Sequence, residues 1–292
     1  MLVRRNCKLF FKDKGMFFTS LITPVILLVL YAAFLADVYR ESFAGALGGF
    51  AVEETLINAT VGGQLVSSLL AVCCVTVAFC SNLLMVNDKI TGAIRDLTMT
   101  PVRRSTLGLS YFIATAISTL LICFTALTVC LLYLRTQGWY LTGADILMLC
   151  LDVVLLALFG TALSSLVSYP LSTPGQGSAV GTIVSAGYGF VCGAYMPISN
   201  FGEGLQKVLS FLPGTYGTSL LRNHVLRGCF AQMAEVGFPA EVVEAIRDSI
   251  DCNLYFFGEP VHIPVMYGIL GGAVAVLTLV YCILCGLNKK KG

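Results

Sequence analysis

Charged side chains are missing from long stretches of this chain and crowded into the short stretches between them. No Asp, Glu, Lys or Arg occurs from Thr55 to Asn87, from Ser105 to Leu134, or from Val153 to Gly202. A charge at the centre of a membrane helix costs about 2.5–3.5 kcal/mol on insertion scales. Segregation on this scale therefore marks the water-facing edges of membrane spans, each needing roughly 20 apolar residues. The pattern predicts six spans, at about 16–36, 61–86, 105–134, 144–168, 175–195 and 264–287. The first, Met16 to Ala36, is 21 residues long, about 32 Å as a helix, which is more than a signal-peptide core needs. The run from Val153 to Gly202 is too long for one helix, and Pro170, Pro174 and Gly175 break it into a hairpin.

Two further patterns are amphipathic. Residues 1–15 mix Arg4, Arg5, Lys8, Lys12 and Lys14 with Leu2, Val3, Leu9, Phe10 and Phe11, as an interfacial helix does when its apolar side lies in lipid. The segment 196–262 is the largest piece between spans. Its first part, Met196 to Arg227, is too apolar for a free loop and too interrupted by Pro197, Gly202, Gly204, Pro213 and Gly217 for a span. Short helices dipping back into the leaflet are expected there, followed by an exposed amphipathic helix from Pro239 to Ile250. The expected fold is an all-α integral membrane protein: a 1–15 interfacial helix, then a 16–292 domain of six transmembrane helices with re-entrant helices between spans 5 and 6.

Composition agrees. The 292 residues are 57% hydrophobic and 12% charged, against about 25% charged in soluble domains. Twelve of the 18 basic residues fall at Arg4 to Lys14, Lys89 to Arg104 and Lys289 to Lys291, beside only Asp13, Asp88 and Asp96. Basic excess marks the cytoplasmic side, so both termini and the island 87–104 are expected there. Spread along membrane edges, these cations read as topology and lipid contact, with no nucleic acid as partner. Nine of the twelve cysteines lie in apolar runs and are expected to act as packing residues. Cys282-x-x-Cys285 has redox spacing without a βαβ context. Cys229 and Cys252 fall on the outer side, where free thiols are favoured over a disulfide.

The island Asn87 to Arg104 is ordered for a loop. Gly92 precedes a short helical pattern through Thr98, and Thr100-Pro101 must stop it. Such a helix on the inner face is a docking element for something cytosolic. Elsewhere, chemistry is sparse. No G-x-x-x-x-G-K-[ST] and no H-E-x-x-H occurs, so no phosphate-binding loop, catalytic residue or metal site is expected. Asp152 is the one plausible intramembrane acid, read as protonated or hydroxyl-capped, with a transport role as the alternative. Span 5 places Gly177, Gly181, Ser185, Gly189 and Gly193 every four positions, a stripe suited to close helix packing or to a subunit interface. On span 2, Gln64, Ser67 and Ser68 offer either a mildly polar path lining or helix–helix hydrogen bonds.

A charged pair, a gap, Gly, a small helix and Thr-Pro before a basic residue resembles the coupling-helix region of type-2 ABC exporter permeases. Here these are Asp88-Lys89, Gly92, Leu97, Thr100-Pro101-Val102 and Arg103. Gly193-Ala-Tyr-Met-Pro197, Leu205-Gln206, Leu212-Pro213-Gly-Thr-Tyr216 and Leu221-Arg222 are similar to that family's extracellular segment between spans 5 and 6. The family often has Glu-Arg at 88–89 and Glu at 95. The resemblance implies the transmembrane subunit of an ATP-driven exporter in a prokaryotic-type plasma membrane. It implies a second permease subunit and separate ABC ATPase subunits that bind the ATP and magnesium, no cofactor being expected in this chain. Coupling to the ATPase would fall to Asp88, Lys89, Gly92, Arg95, Asp96, Leu97, Thr100 and Pro101, with spans 2 and 5 flanking the route. A passive channel or ion-coupled carrier is the alternative. The purified chain alone should neither bind nor hydrolyse ATP; nucleotide binding in a preparation free of co-purifying ATPase would contradict this.

Overall fold

The computed structural model describes residues 1–15, 17, 18, 20, 25, 26, 29, 53–99 and 102–287. The first expected span, apart from a few helical positions up to 29, lies outside the described residues, as do Thr100, Pro101 and Lys289 to Lys291.

The described chain is almost entirely helical. In order it forms α1 (Leu2–Lys12), α2 (Glu54–Ile90), α3 (Ala93–Thr98), α4 (Arg104–Gln137), α5 (Gly143–Ser168) and α6 (Pro174–Val191). A 3₁₀ turn (Ile198–Asn200), α7 (Glu203–Leu209), α8 (Pro213–Glu235) and α9 (Ala240–Ser249) follow, then a two-stranded hairpin, β1 (Tyr255–Phe256) with β2 (Glu259–Pro260), and α10 (Ile263–Leu287). Among the described residues four helices, α2, α4, α5 and α10, are long and apolar enough to cross a membrane. The expected fifth span forms α6, whose 18 residues span about 27 Å.

Local chemistry sets the helix starts. Thr142 and Asp145 form a reciprocal capping box on α5, and Thr173 with Gln176 form another on α6, which has Pro174 in its first turn. Both arrangements satisfy backbone donors that a helix N-terminus leaves open. Asp145 is fully buried and also lies 3.2 Å from Arg227 of α8.

α2 is the axis of the bundle. It packs against α4, α5, α6 and α8, and 83% of its most apolar stretch is buried, against 17% for α10. In lipid, helices associate through close packing and hydrogen bonds, so small residues belong at their contacts. Gly160 of α5 meets this need, since a Cβ there would lie 2.9 Å from the backbone of Cys74 and Val75 on α2. The bundle has two ends. At one, the C-termini of α2, α5 and α10 meet α3 and the start of α4, with Tyr169 donating to the Leu284 carbonyl and Tyr281 to that of Gly108. At the other, the distal end, α7, α8, α9 and the hairpin form a cap.

The cap departs from expectation. Met196 to Arg227 was read as broken into short shallow helices, yet α8 is continuous for 23 residues and buries most of its length against α2, α5 and α10. Pro213 sits at its first turn, where a missing N–H is harmless, and Gly217 admits the Leu156 side chain rather than breaking the helix. α9 matches the expected amphipathic helix. Cys229 and Cys252 are buried free thiols.

Replacing Gly160 by Ala should lower thermal stability in detergent by about 1–3 kcal/mol, the usual cost of overpacking. Gly272→Ala on α10, with nothing within 4 Å, is expected to be neutral or mildly stabilising.

Candidate functional site

The island is less a loop than a braced corner. α2 runs straight through it to Ile90, so Asp88 and Lys89 are helical. Asp88 is 7% exposed and accepts from Arg5 of α1 at 2.8 Å and from the Tyr111 hydroxyl of α4 at 2.5 Å. Lys89 donates to the carbonyls of Ser168 and Leu171 at 3.2 Å, and to that of Tyr169, whose ring it overlies at 5.5 Å. Carbonyls at a helix C-terminus lack intrahelical partners and attract cations; Lys89 closes the end of α5 in this way. Both residues thus tie helices together inside this chain.

Beyond them, Gly92 takes a left-handed φ of +81° with open space around it, turning the chain off the α2 axis into α3. Ile94 and Leu97 pack against a small core of Met85, Leu107 and Tyr111. Arg95 and Asp96 point outward, and Met99 is 82% exposed. Of the residues assigned to coupling, Arg95 and Asp96 present side chains to water, Gly92 and Leu97 shape the presentation, and Thr100 and Pro101 lie outside the described residues.

The path residues scatter. Gln64, Ser67 and Ser68 are 3%, 0% and 2% exposed, inside the protomer because α2 is its axis; the Ser68 hydroxyl accepts from Arg222 at 3.4 Å. Along α6, Gly177 packs against Leu83 and Val86, and Gly181 is open. The Ser185 carbonyl accepts from the Tyr195 hydroxyl at 3.3 Å. Tyr195 folds its ring against Gly189. Gly193 is not on the stripe: it follows the helix with φ +73°, in the turn that ends α6. A groove of about 530 Å³ beside α2 and α6 is lined by Cys80, Leu83, Gly177, Gly181, Ser185 and Tyr195, among others, and among the described residues no charged side chain contributes.

Two buried polar clusters were not foreseen. Asp152, expected to be protonated or hydroxyl-capped, lies 2.6 Å from Nδ1 of His224 and accepts from the Tyr267 hydroxyl at 2.5 Å. This joins α5, α8 and α10. Near it, Arg222 is 1% exposed and holds Asp251 at 3.3 Å, the Gly193 carbonyl and Ser68. Asp251, at φ +54°, also accepts from the backbone N–H groups of Ile198 and Ser199. Burial pushes its carboxyl above the usual carboxylate range, against the pull of Arg222 and the two backbone donors. The one available signal was Arg222-Asn223-His224, a polar triplet within an otherwise apolar segment.

A bundle of long apolar helices with an ordered polar corner at one end marks a multi-pass membrane protein. The chain belongs to the ABC-2 type transporter family, whose membrane-domain model matches residues 1–226. It is thus a permease subunit of an ABC transporter, a multi-pass membrane protein and not itself the catalytic component; permeases of this family work with ABC ATPase subunits. No curated protein and no solved structure matches the chain. Helices α9 and α10 and the hairpin lie beyond the matched region.

Arg222→Met strands the Asp251 carboxylate without its partner, and breaking a buried pair this way costs about 3–5 kcal/mol. The double variant Arg222→Met, Asp251→Asn should recover part of that loss. Thermal unfolding of both proteins in detergent checks it; equal destabilisation would mean that the pairing is not what matters.

Proposed function

We propose that this chain is the transmembrane half of an ATP-driven exporter that moves its substrate from the cytoplasm or inner leaflet outward. A pair of such permeases, identical or different, would assemble with two separate ATPase subunits. The reading rests on one observation above all: a short helix, α3, turned off the α2 axis by a left-handed glycine, seated on the bundle through Ile94 and Leu97, with Arg95 and Asp96 exposed and its base braced by Asp88 and Lys89. A docking element needs both free contacts and a stiff mounting, and α3 has both.

In this reading the basic edges put the α3 end, α1 and both termini in the cytoplasm, six spans cross the plasma membrane, and the cap is extracellular. Between α6 and α8, the short helix α7 then dips into the outer leaflet. ATP-driven closure of the partners presses on Arg95, Asp96 and Met99 and tilts α2 with α5, which Lys89 ties to it. The α6 face beside the groove, with Gly181 and Ser185, then serves as subunit interface or route wall. ATP switches the cavity only by binding one state more tightly than the other. Family membership favours this over a passive channel or an ion-coupled carrier.

Gly92→Pro, and the double reversal Arg95→Glu with Asp96→Lys, test the reading in the reconstituted complex. Surface changes of this kind usually shift stability by less than about 0.5 kcal/mol, so insertion should be normal. ATPase association, or stimulation of hydrolysis by substrate, should fall. Wild-type assembly and transport in every variant would remove the main support for a coupling role.

A further inference from the structure

The cap carries an aromatic cluster that packs on itself and not on the core. Phe256 and Phe257 lie 4.9 Å apart at the hairpin tip, and Phe211, just after α7, lies 5.3 and 5.9 Å from them. Phe211 is 62% exposed, Phe257 61% and Phe256 37%. Pairing of Phe256 with Glu259 leaves Phe257 and Gly258 as a two-residue turn, with φ of +52° and +91°. Such turns favour Asn or Asp in the first position. A bulky residue there is uncommon, so the chain accepts backbone strain and exposes a large ring at the same point.

Position and size identify what covers the cluster. Three residues after β2, α10 enters the membrane, and its outward face carries Val265, Val276 and Leu279 at 51%, 60% and 61% exposure. The hairpin is therefore tethered at the level where that lipid-facing surface begins, the headgroup–acyl boundary into which interfacial elements bury Phe and Leu side chains. Exposed Lys207 on α7 and Glu259 on β2 give it a polar rim. A second copy of the chain fits less well. Rings of this kind bury about 150–250 Å² each, so at the observed exposures the cluster offers roughly 300 Å² in all, well short of the roughly 800 Å² per partner of a stable interface.

We propose that Phe211, Phe256 and Phe257 form a lipid anchor that seats in the interfacial zone of the leaflet at the distal end and holds the cap at a fixed height on the membrane. The anchor does not depend on which face of the membrane is outside.

The chain has a single tryptophan, so a Trp139→Phe background allows one reporter at a time in the full-length protein. Phe257→Trp would be read in phosphatidylcholine vesicles with and without brominated acyl chains, beside Val276→Trp on the lipid face of α10 and Glu241→Trp on exposed α9. The anchor predicts blue-shifted emission at 257 and a loss of intensity on bromination approaching that at 276, while 241 stays red and unquenched. Red, unquenched emission at 257 would place the tip in water and overturn the proposal. Blue-shifted emission without bromine quenching would mean protein contact, including a second copy, and overturn it equally. Phe211→Trp gives the same reading if the turn variant does not fold.

Discussion

An ion held away from water must be met by an opposite charge or by donors and acceptors enough to replace its hydration, and in this bundle no helix meets that demand alone. Asp88 needs α1 and α4, Lys89 needs the end of α5, Asp152 needs α8 and α10, and Arg222 needs α2, the turn after α6 and the segment after α9. Apolar packing between helices in lipid is permissive, because lipid tails offer nearly the same contacts. The ionic groups are not permissive. A register slip of one helix would leave several of them bare at once, and the cost of a bare buried charge exceeds anything the slip could regain in packing.

The same logic explains what was legible in the sequence. Span limits were readable because charge exclusion acts on each helix separately: α4 and α5 begin and end within a few residues of the expected limits. The corner at Gly92 was readable too, since a glycine, a short helix and a Thr-Pro stop are local signals. Partnerships were not. Nothing near Asp152 in sequence points to His224, 72 positions away, and Asp88 and Lys89 look like solvated charges until α1 and α5 are brought against them. The polar residues on α2 illustrate the converse. Gln64, Ser67 and Ser68 are polar enough for a channel wall, but only packing reveals that α2 is the axis and that this stretch of it is buried within the protomer. The cap was misjudged because Pro213 and Gly217 are breakers in general and harmless in the positions they occupy.

The two polar clusters and the island divide the work between the ends. At the island end the charges brace a small outward-facing element and leave its tip in water. At the distal end the charges turn inward, fastening the cap through α8 to the helices beneath it. Among the described residues the α6 face between them carries no ion pair, and it is held by glycine packing and by one tyrosine.

α2 connects the two ends without a break. From Ser68, which touches the Arg222 cluster, to Lys89, which holds α5, there is no glycine and no proline. The 21 residue steps between them make a rod of about 32 Å. A rod lacking a joint cannot absorb a stroke by flexing partway; it delivers displacement at one end to the other at once and in proportion. In the exporter proposed above, a push on α3 would therefore reach the Arg222 cluster through α2 itself, with no further element needed to carry it.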